Sequence, residues 1–204
     1  MIFGDDVDAW SNCNDEDLWI FDKLLLSRKL KYNCGPVGVN VPTPGKYVIR
    51  PITNLMGMGI DSSIIHLNKS TDHLPTGHFW CQCFEGRHLS VDYIDNEQVL
   101  CVEGFRTNES PLYKWDRWER VNDDVPLPEI LRTLKEKYEH INCEFIGNKL
   151  IEVHFRLNYD FLRNVDANIL HVVWKGESTI PPQGMVFVSD PEYKRLGFFK
   201  QKNE

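Results

Sequence analysis

The chain lacks any apolar run close to the roughly 20 residues a bilayer-spanning helix needs, which excludes a helical membrane protein. It also lacks an excess of positive charge. Its 23 Lys and Arg face 30 Asp and Glu, a formal net charge of -7, so general binding to nucleic-acid backbone, which depends on clustered cations, is not expected. No CxxC pair occurs among its six cysteines, Cys13, Cys34, Cys81, Cys83, Cys101 and Cys143. Most lie in apolar, strand-like runs and read as reduced core residues; Cys81 and Cys83 share a strand face, a poor disulfide geometry. No internal repeat and no low-complexity tract is present, which sets aside solenoids and disordered linkers. The first residues, Met1 to Asp6, are acidic where a signal peptide is basic, so a cytoplasmic protein is expected, in the host cytoplasm if the chain is virus-encoded.

What remains is a chain of 204 residues with ordinary apolar (42%) and charged (26%) content. That is enough for one substantial core, or for two small lobes with a cleft between them. Asn14 followed by three acidic residues predicts a helix start, with the helix running to about Leu30 and ended by Asn33-Cys34-Gly35-Pro36. Lys46 to Arg50 is a strand stopped by Pro51, and Asn54 to Gly59 is a glycine-bearing loop before a returning strand over Ile60 to Leu67. Further strands are predicted at Phe79–Phe84, His88–Ile94, Gln98–Phe105, Leu170–Trp174 and Met185–Val188. Asn108 to Asp124 reads as irregular, and Leu127 to Tyr138 as a second helix with Ile130, Leu131, Leu134 and Tyr138 on one face. The fold class is α+β, mainly antiparallel strands with few helices.

The most informative stretch is 143–156. Apolar Cys143, Phe145, Ile151, Val153 and Phe155 fall on one parity and Glu144, Glu152, His154 and Arg156 on the other, the pattern of a β-hairpin with one oily and one polar face. For the polar sets to share a face, Glu144 must stand opposite Glu152. That requires a three-residue connection at Gly147-Asn148-Lys149, a turn with a bulge. Two carboxylates so placed repel each other, and a hard divalent cation such as Mg²⁺ between them relieves the repulsion.

Taken in chain order, these pieces resemble the ATP-grasp family. They are a helix ending near Gly35-Pro36, Val48-Ile49-Arg50-Pro51, the glycine loop Gly57-Met58-Gly59, Gln82-Cys83-Phe84-Glu85-Gly86 leading to Val91-Asp92, a helix, and a terminal hairpin Glu-x7-Glu-x-His-x-Arg. The hairpin looks like the family's Glu-x-Asn-x-Arg signature. The resemblance covers about Asp22 to Arg156 and implies a small glycine-loop lobe (45–84) and a larger catalytic lobe (85–204 with 15–35) of one module spanning 1–204. Most members carry an additional α/β domain before the grasp lobes, so the chain looks like a minimal member.

The resemblance implies ATP and Mg²⁺ as cofactors and a carboxylate–amine or carboxylate–thiol ligase working through an acyl phosphate. Arg50 would hold α- and β-phosphate oxygens where the family usually has Lys; alone it is an ordinary strand-end arginine. Gly57, Met58 and Gly59 would close on the phosphates, or form a plain turn. Gln82 to Phe84 would meet adenine, with Trp80, Cys81, Phe84 and Val99 as wall and either Gln82 or Glu85 at the ribose, unless this strand is simply core. Glu144 and Glu152 would hold Mg²⁺. His154 stands where the family has Asn, which brings Mn²⁺ in as an alternative, or it pairs with Glu152 without metal contact. Arg156 would brace the γ-phosphate or bridge to Glu144. Arg106 and Lys114, with Arg117 and Arg120 among tryptophans, would cradle a substrate or form a solvated connection. The other histidines, His88 among them, show no ligand spacing. The partners implied are small carboxylate and amine substrates, or a macromolecular acceptor, with a partner chain or homodimer completing the site. The rival reading is a degenerate module that binds nucleotide or serves as a structural or interaction protein.

Overall fold

The fold is taken from a computed structural model, which describes residues 1–107 and 110–202. The stretch from Asn14 to Leu30 does not form one helix. Asp22 adopts an extended conformation and its carboxylate accepts a hydrogen bond from the Leu25 amide at 2.7 Å, so it starts a new helix in mid-run. Asp15–Phe21 before it makes 3-10 turns, and Asn14 gives no side-chain cap. The chain thus opens with helix α1 (Asp6–Asn12), the 3-10 stretch and helix α2 (Lys23–Lys29). The break at Asp22 puts Lys23 in the first turn of α2, where its amide donates to the Ile52 carbonyl at 2.8 Å and its side chain is buried.

A four-stranded sheet follows, made of β1 (Cys34–Pro36), β2 (Gly45–Pro51), β3 (Ser63–Leu67) and β4 (His78–Gln82) in the order β1-β4-β2-β3. Its own core is small: Val41, Tyr47, Ile49, Leu67, Leu74 and Trp80. The second sheet has eight strands: β5 (His88–Ile94), β6 (Glu97–Phe105), β7 (Arg117–Arg120), β8 (His140–Ile146), β9 (Lys149–His154), β10 (Ile169–Trp174), β11 (Met185–Glu192) and β12 (Arg195–Gln201). Their order is β11-β12-β10-β7-β6-β5-β8-β9, and every described pairing in both sheets is antiparallel. With only short helices, among them α3 (Tyr159–Arg163), the class is α+β. Strand β7 lies inside the stretch expected to be irregular; residues 108 and 109 of that stretch lie outside the described residues.

One face of the large sheet carries the main core. Val91, Tyr93, Cys101, Ile141, Cys143 and Val153 pack there against Phe3, Ala9, Phe21, Leu26 and Phe155. Leu131, Leu134 and Tyr138 join them, buried as the helical stripe required, yet no α-helix forms over 127–138. Apart from a single bond from Tyr138 to Leu134, the amides here reach three residues back, Leu131 to Pro128, Leu134 to Leu131 and Lys137 to Leu134, so the chain winds in 3-10 turns after Pro126 and Pro128. The apolar spacing was informative about burial but not about winding. On the other face Val102, Leu170 and Phe198 are covered by Phe161 of α3. The remaining half of that face, on β5, β8 and β9, is turned towards the small sheet, and Arg50 of β2 donates to the Ile151 carbonyl across the gap at 2.7 Å.

The β8–β9 hairpin pairs Glu144 with Glu152, as parity demands. The connection, however, is the two-residue turn Gly147-Asn148, with Ile146 opposite Lys149 and Phe145 opposite Leu150. The extra residue sits later, at Ile151, as a bulge. Leu150 therefore takes the core place expected for Ile151, and Ile151 faces the gap.

Gly104 lies on the gap side of β6, and a Cβ there would stand 2.8 Å from the Trp115 and Trp118 rings. Replacing Gly104 with Val is expected to lower stability by about 1–3 kcal/mol, the usual cost of overpacking, read as a lower urea midpoint. An unchanged midpoint would mean the two indoles do not rest on this strand.

Candidate functional site

The facing halves of the two sheets enclose a cavity of about 280 Å³. At its centre the Glu144 and Glu152 carboxylates share one face of the hairpin. The Lys23 ammonium lies 2.6 Å from Glu152 Oε1, and Arg50 Nη2 lies 3.7 Å from Glu152 Oε2. His88 Nε2 is 3.1 Å from Glu144 Oε2. Burial works against a charge on Glu144, but the His88 hydrogen bond and the nearby His154 and Lys23 charges hold its carboxyl well below the usual range.

His154 sits behind the pair, 3% exposed. Its Nδ1 is 2.9 Å from Asp6 Oδ2, and its Nε2 is directed between the carboxylates, 3.6 Å from Glu152 Oε1 and 3.9 Å from Glu144 Oε1. Those separations are too long for hydrogen bonds, and His154 Nε2 is the only buried side-chain nitrogen or oxygen among the described residues without a partner. Burial alone would favour the neutral imidazole; the Asp6 charge and hydrogen bond outweigh it and raise the His154 pKa. Asp6 also accepts from Arg156 Nε at 3.0 Å. Burial would raise the Asp6 pKa, but His154 and Arg156 together bring it down to about 2. Arg156 thus pairs with Asp6 and donates to the Leu157 carbonyl.

A second polar group flanks the centre. Asn142 donates to Ser90 Oγ at 2.8 Å and to Asp92 Oδ1 at 2.7 Å, and the Asn158 amide donates to Asp92 at 3.0 Å. Burial outweighs these donors and pushes the Asp92 carboxyl up to about 6. Over the mouth runs the β2–β3 loop. Gly57 and Gly59 have φ of 65° and 62°, and Met58 between them has φ of 57°, a left-handed turn that two glycines make accessible. A Cβ on Gly57 would lie 3.8 Å from Arg156 Nη2 and one on Gly59 3.6 Å from the Leu112 carbonyl, so the loop bridges from the small sheet to the large.

Of the residues singled out in the sequence, Arg50, Gly57, Met58, Gly59, Arg106, Glu144, Glu152 and Arg156 line the cavity, with His154 directly beneath. Gln82, Phe84, Glu85 and Lys114 do not. Gln82 accepts from the Asn33 amide at 2.9 Å, Phe84 packs on Tyr32, Glu85 is exposed, and Lys114 pairs with Glu177 at 2.9 Å. Trp80 belongs to the core of the small sheet, Cys81 is buried and Val99 is exposed, and the apolar lining of the cavity is made by other residues, among them Ile146, Ile151, Trp115 and Trp118. Among the described residues no three His, Cys, Asp or Glu are grouped at metal-ligand spacing. Lys23, Asp6 and His88 escaped the sequence reading. A lysine in the first turn of a helix opposes the helix dipole, which marks Lys23 as placed for another reason; nothing local marks Asp6 or His88.

No family model and no curated protein matches the chain. Among solved structures it is similar to an ATP-grasp superfamily protein from Archaeoglobus fulgidus, at 16% identity and a TM-score of 0.48, covering 90% of this chain and 64% of that one. The ATP-grasp ligase PsnB, solved with a minimal precursor, gives 12% identity and a TM-score of 0.42 over 69% of this chain and 53% of that one. An L-amino acid ligase from Bacillus licheniformis gives 13% and 0.40 over 71% and 42%. The chain spans less than two thirds of each of these proteins, and the likeness is one of general course.

Two pH effects follow. Asp6, with a pKa lowered from 3.8 to about 2, contributes stability that is present above pH 4 and lost as pH falls towards 2; Asp6→Asn should remove that acid-side loss in urea titrations. Asp92, raised from 3.8 to about 6, does the reverse: the folded state holds the extra proton, so stability falls as pH rises from about 4 to about 6. Asp92→Asn should flatten that segment, and an unaltered slope would show that its carboxyl is not buried as described.

Proposed function

We propose that the chain is an ATP-dependent carboxylate–amine or carboxylate–thiol ligase of the ATP-grasp type. The observation that carries this reading is the inter-sheet cavity, where Lys23, Arg50 and Arg156 meet an opposed carboxylate pair beneath a glycine loop. A substrate carboxylate oxygen would form a bond to the γ-phosphorus of ATP as the bond to the β-phosphate oxygen breaks and ADP leaves. The amine nitrogen, or thiolate sulfur, would then bond to the acyl carbon. Inorganic phosphate departs and, for an amine, a proton is released.

In this reading Arg50 and Lys23 attract the nucleotide's phosphates, and Arg156, held by Asp6, faces the γ-phosphoryl end. The Gly57–Gly59 loop would exclude water from the acyl phosphate. As they stand Glu144, Glu152 and the unpartnered His154 Nε2 are not at metal-ligand spacing; drawn together, their oxygens and one nitrogen would be the donors to Mg²⁺ or, better, Mn²⁺. Such a cation would draw charge from the transferring phosphoryl group. Small carboxylate and amine substrates, a macromolecular acceptor, a partner chain over the open side and a cytoplasmic setting all belong to the proposal.

One observation favours a second reading, a degenerate nucleotide-binding or interaction module. The Lys23 ammonium already neutralises Glu152 and His88 already serves Glu144, so the pair is balanced without a metal.

The test is ADP release, with acyl phosphate trapped by hydroxylamine, in the presence of ATP, Mg²⁺ or Mn²⁺ and pooled carboxylates. Glu152→Gln should lower turnover by about 100-fold, the scale for loss of a transition-state charge contact. ATP binding that is equally tight in EDTA and in Glu152→Gln, with no hydroxamate, would select the second reading in its nucleotide-binding form; no ATP binding at all would end the ligase reading and leave only the interaction module.

A further inference from the structure

Five cationic side chains line the cavity, and four are matched to carboxylates: Lys23 and Arg50 to Glu152, Arg156 to Asp6, and Arg195 to Asp160 and Glu192. Arg106 is the exception. It has no carboxylate partner among the described residues, and its one described contact is with Trp115, the guanidinium carbon lying 5.7 Å from the ring centroid. Burial holds its pKa below the usual guanidinium range. A half-buried guanidinium lying over an indole at cation–π range keeps its forked N–H edge available, and that edge matches a planar carboxylate with two parallel hydrogen bonds.

The surroundings narrow the ligand further. Trp115 also packs on Trp118 (ring centroids 4.7 Å apart) and on His88 (4.6 Å), and His88 is the residue that holds Glu144. Gly104 is bare beneath both indoles, so they close onto the strand where a Cβ would stand 2.8 Å from their rings, tilted 47° to each other. Leu112, Val172 and Trp174 continue the apolar wall on this side of the cavity. The resulting surface has one unspent cation at its edge, an aromatic floor, and the carboxylate pair one histidine away. The phosphate-type cations Lys23 and Arg50 belong to the opposite side, at Glu152.

From this juxtaposition of a guanidinium without a carboxylate partner among the described residues and a floor of two indoles, we infer that Arg106 anchors the carboxylate of the acid substrate, and that this acid carries an apolar, aromatic-sized body lying along Trp115 and Trp118. The inference rests on the ligase reading for the fate of the acid, but binding itself does not depend on ATP. Arg106 would therefore be a specificity-determining contact, separate from the groups that hold nucleotide.

The test uses the full chain and two probes of one shape, 3-phenylpropanoate and its neutral amide, titrated by calorimetry and by tryptophan fluorescence. Wild type should bind the acid about tenfold or more tighter than the amide, the scale of a charge-assisted fork. Arg106→Gln should erase that preference and leave amide binding and ATP affinity unchanged; Arg106→Lys should restore part of it. Acid no tighter than amide, no binding of either probe to wild type, or full acid affinity in Arg106→Gln each overturns the inference. So does an ATP affinity that falls tenfold in Arg106→Gln, which would give the guanidinium to the nucleotide. ATP titrated in parallel separates the two readings: probe binding without ATP binding sinks the ligase and spares this subsite, and the converse sinks the subsite alone. A circular dichroism melt of each variant confirms that it is folded.

Discussion

The structure is organised around two carboxylates that face each other across one hairpin. Glu144 and Glu152 are directly paired on β8 and β9 and are both largely withdrawn from water. Leaving such charges uncompensated would cost about 3–5 kcal/mol for each broken buried pair, far more than the 0–1 kcal/mol of a surface ion pair. The compensation is drawn from separate parts of the chain: Lys23 from α2, Arg50 from β2, His88 from β5 and His154 from β9, itself held by Asp6 of α1. Residues almost 150 positions apart are thereby bound to one point, and the small sheet is tied to the large one through it.

The bulge at Ile151 serves this arrangement twice. By adding one residue between Leu150 and Glu152 it turns Glu152 to the same face as Glu144. By interrupting the ladder it also frees the Ile151 carbonyl, which accepts from Arg50. The hairpin turn is held as well, since Gly86 in the segment between the sheets lies so close to Gly147 that a Cβ would come within 2.7 Å of its Cα. Gly86, at a φ of 123°, and Gly147, at 60°, are thus required both by conformation and by space. The connection between the sheets passes over the very turn that presents the carboxylates.

Period-two patterning made the sheet residues legible. His88–Ile94 has the expected limits, Glu144 opposes Glu152, and the core parity of Cys143, Phe145 and Val153 holds. The placing of the extra residue was not legible, because a bulge at the turn and one three residues later satisfy the same parity. Helical stretches were read less well for a related reason. Leu131, Leu134 and Tyr138 are spaced for burial, and 3-10 turns bury them as an α-helix would. Of the site, the residues on the hairpin and loop could be found because their chemistry is concentrated in sequence. Lys23, Asp6 and His88 could not, since each acquires its role only when a distant element delivers its partner.

Asp6 shows how such a distant partner determines chemistry. Held near a pKa of 2, it stays ionised and can only accept, so the proton it faces must reside on His154 Nδ1. That leaves His154 Nε2 to present either a lone pair or a second N–H to the gap between the carboxylates, with neither oxygen close enough to bond it. A buried nitrogen kept in this state loses about 1–3 kcal/mol relative to a satisfied one. Glu152 Oε1, the carboxylate oxygen nearest to it, is held instead by Lys23 at 2.6 Å. The orphaned nitrogen is therefore a consequence of the same charge network that stabilises the carboxylates, and any cation seated between them would have to compete with Lys23 for Glu152 while gaining His154 in return.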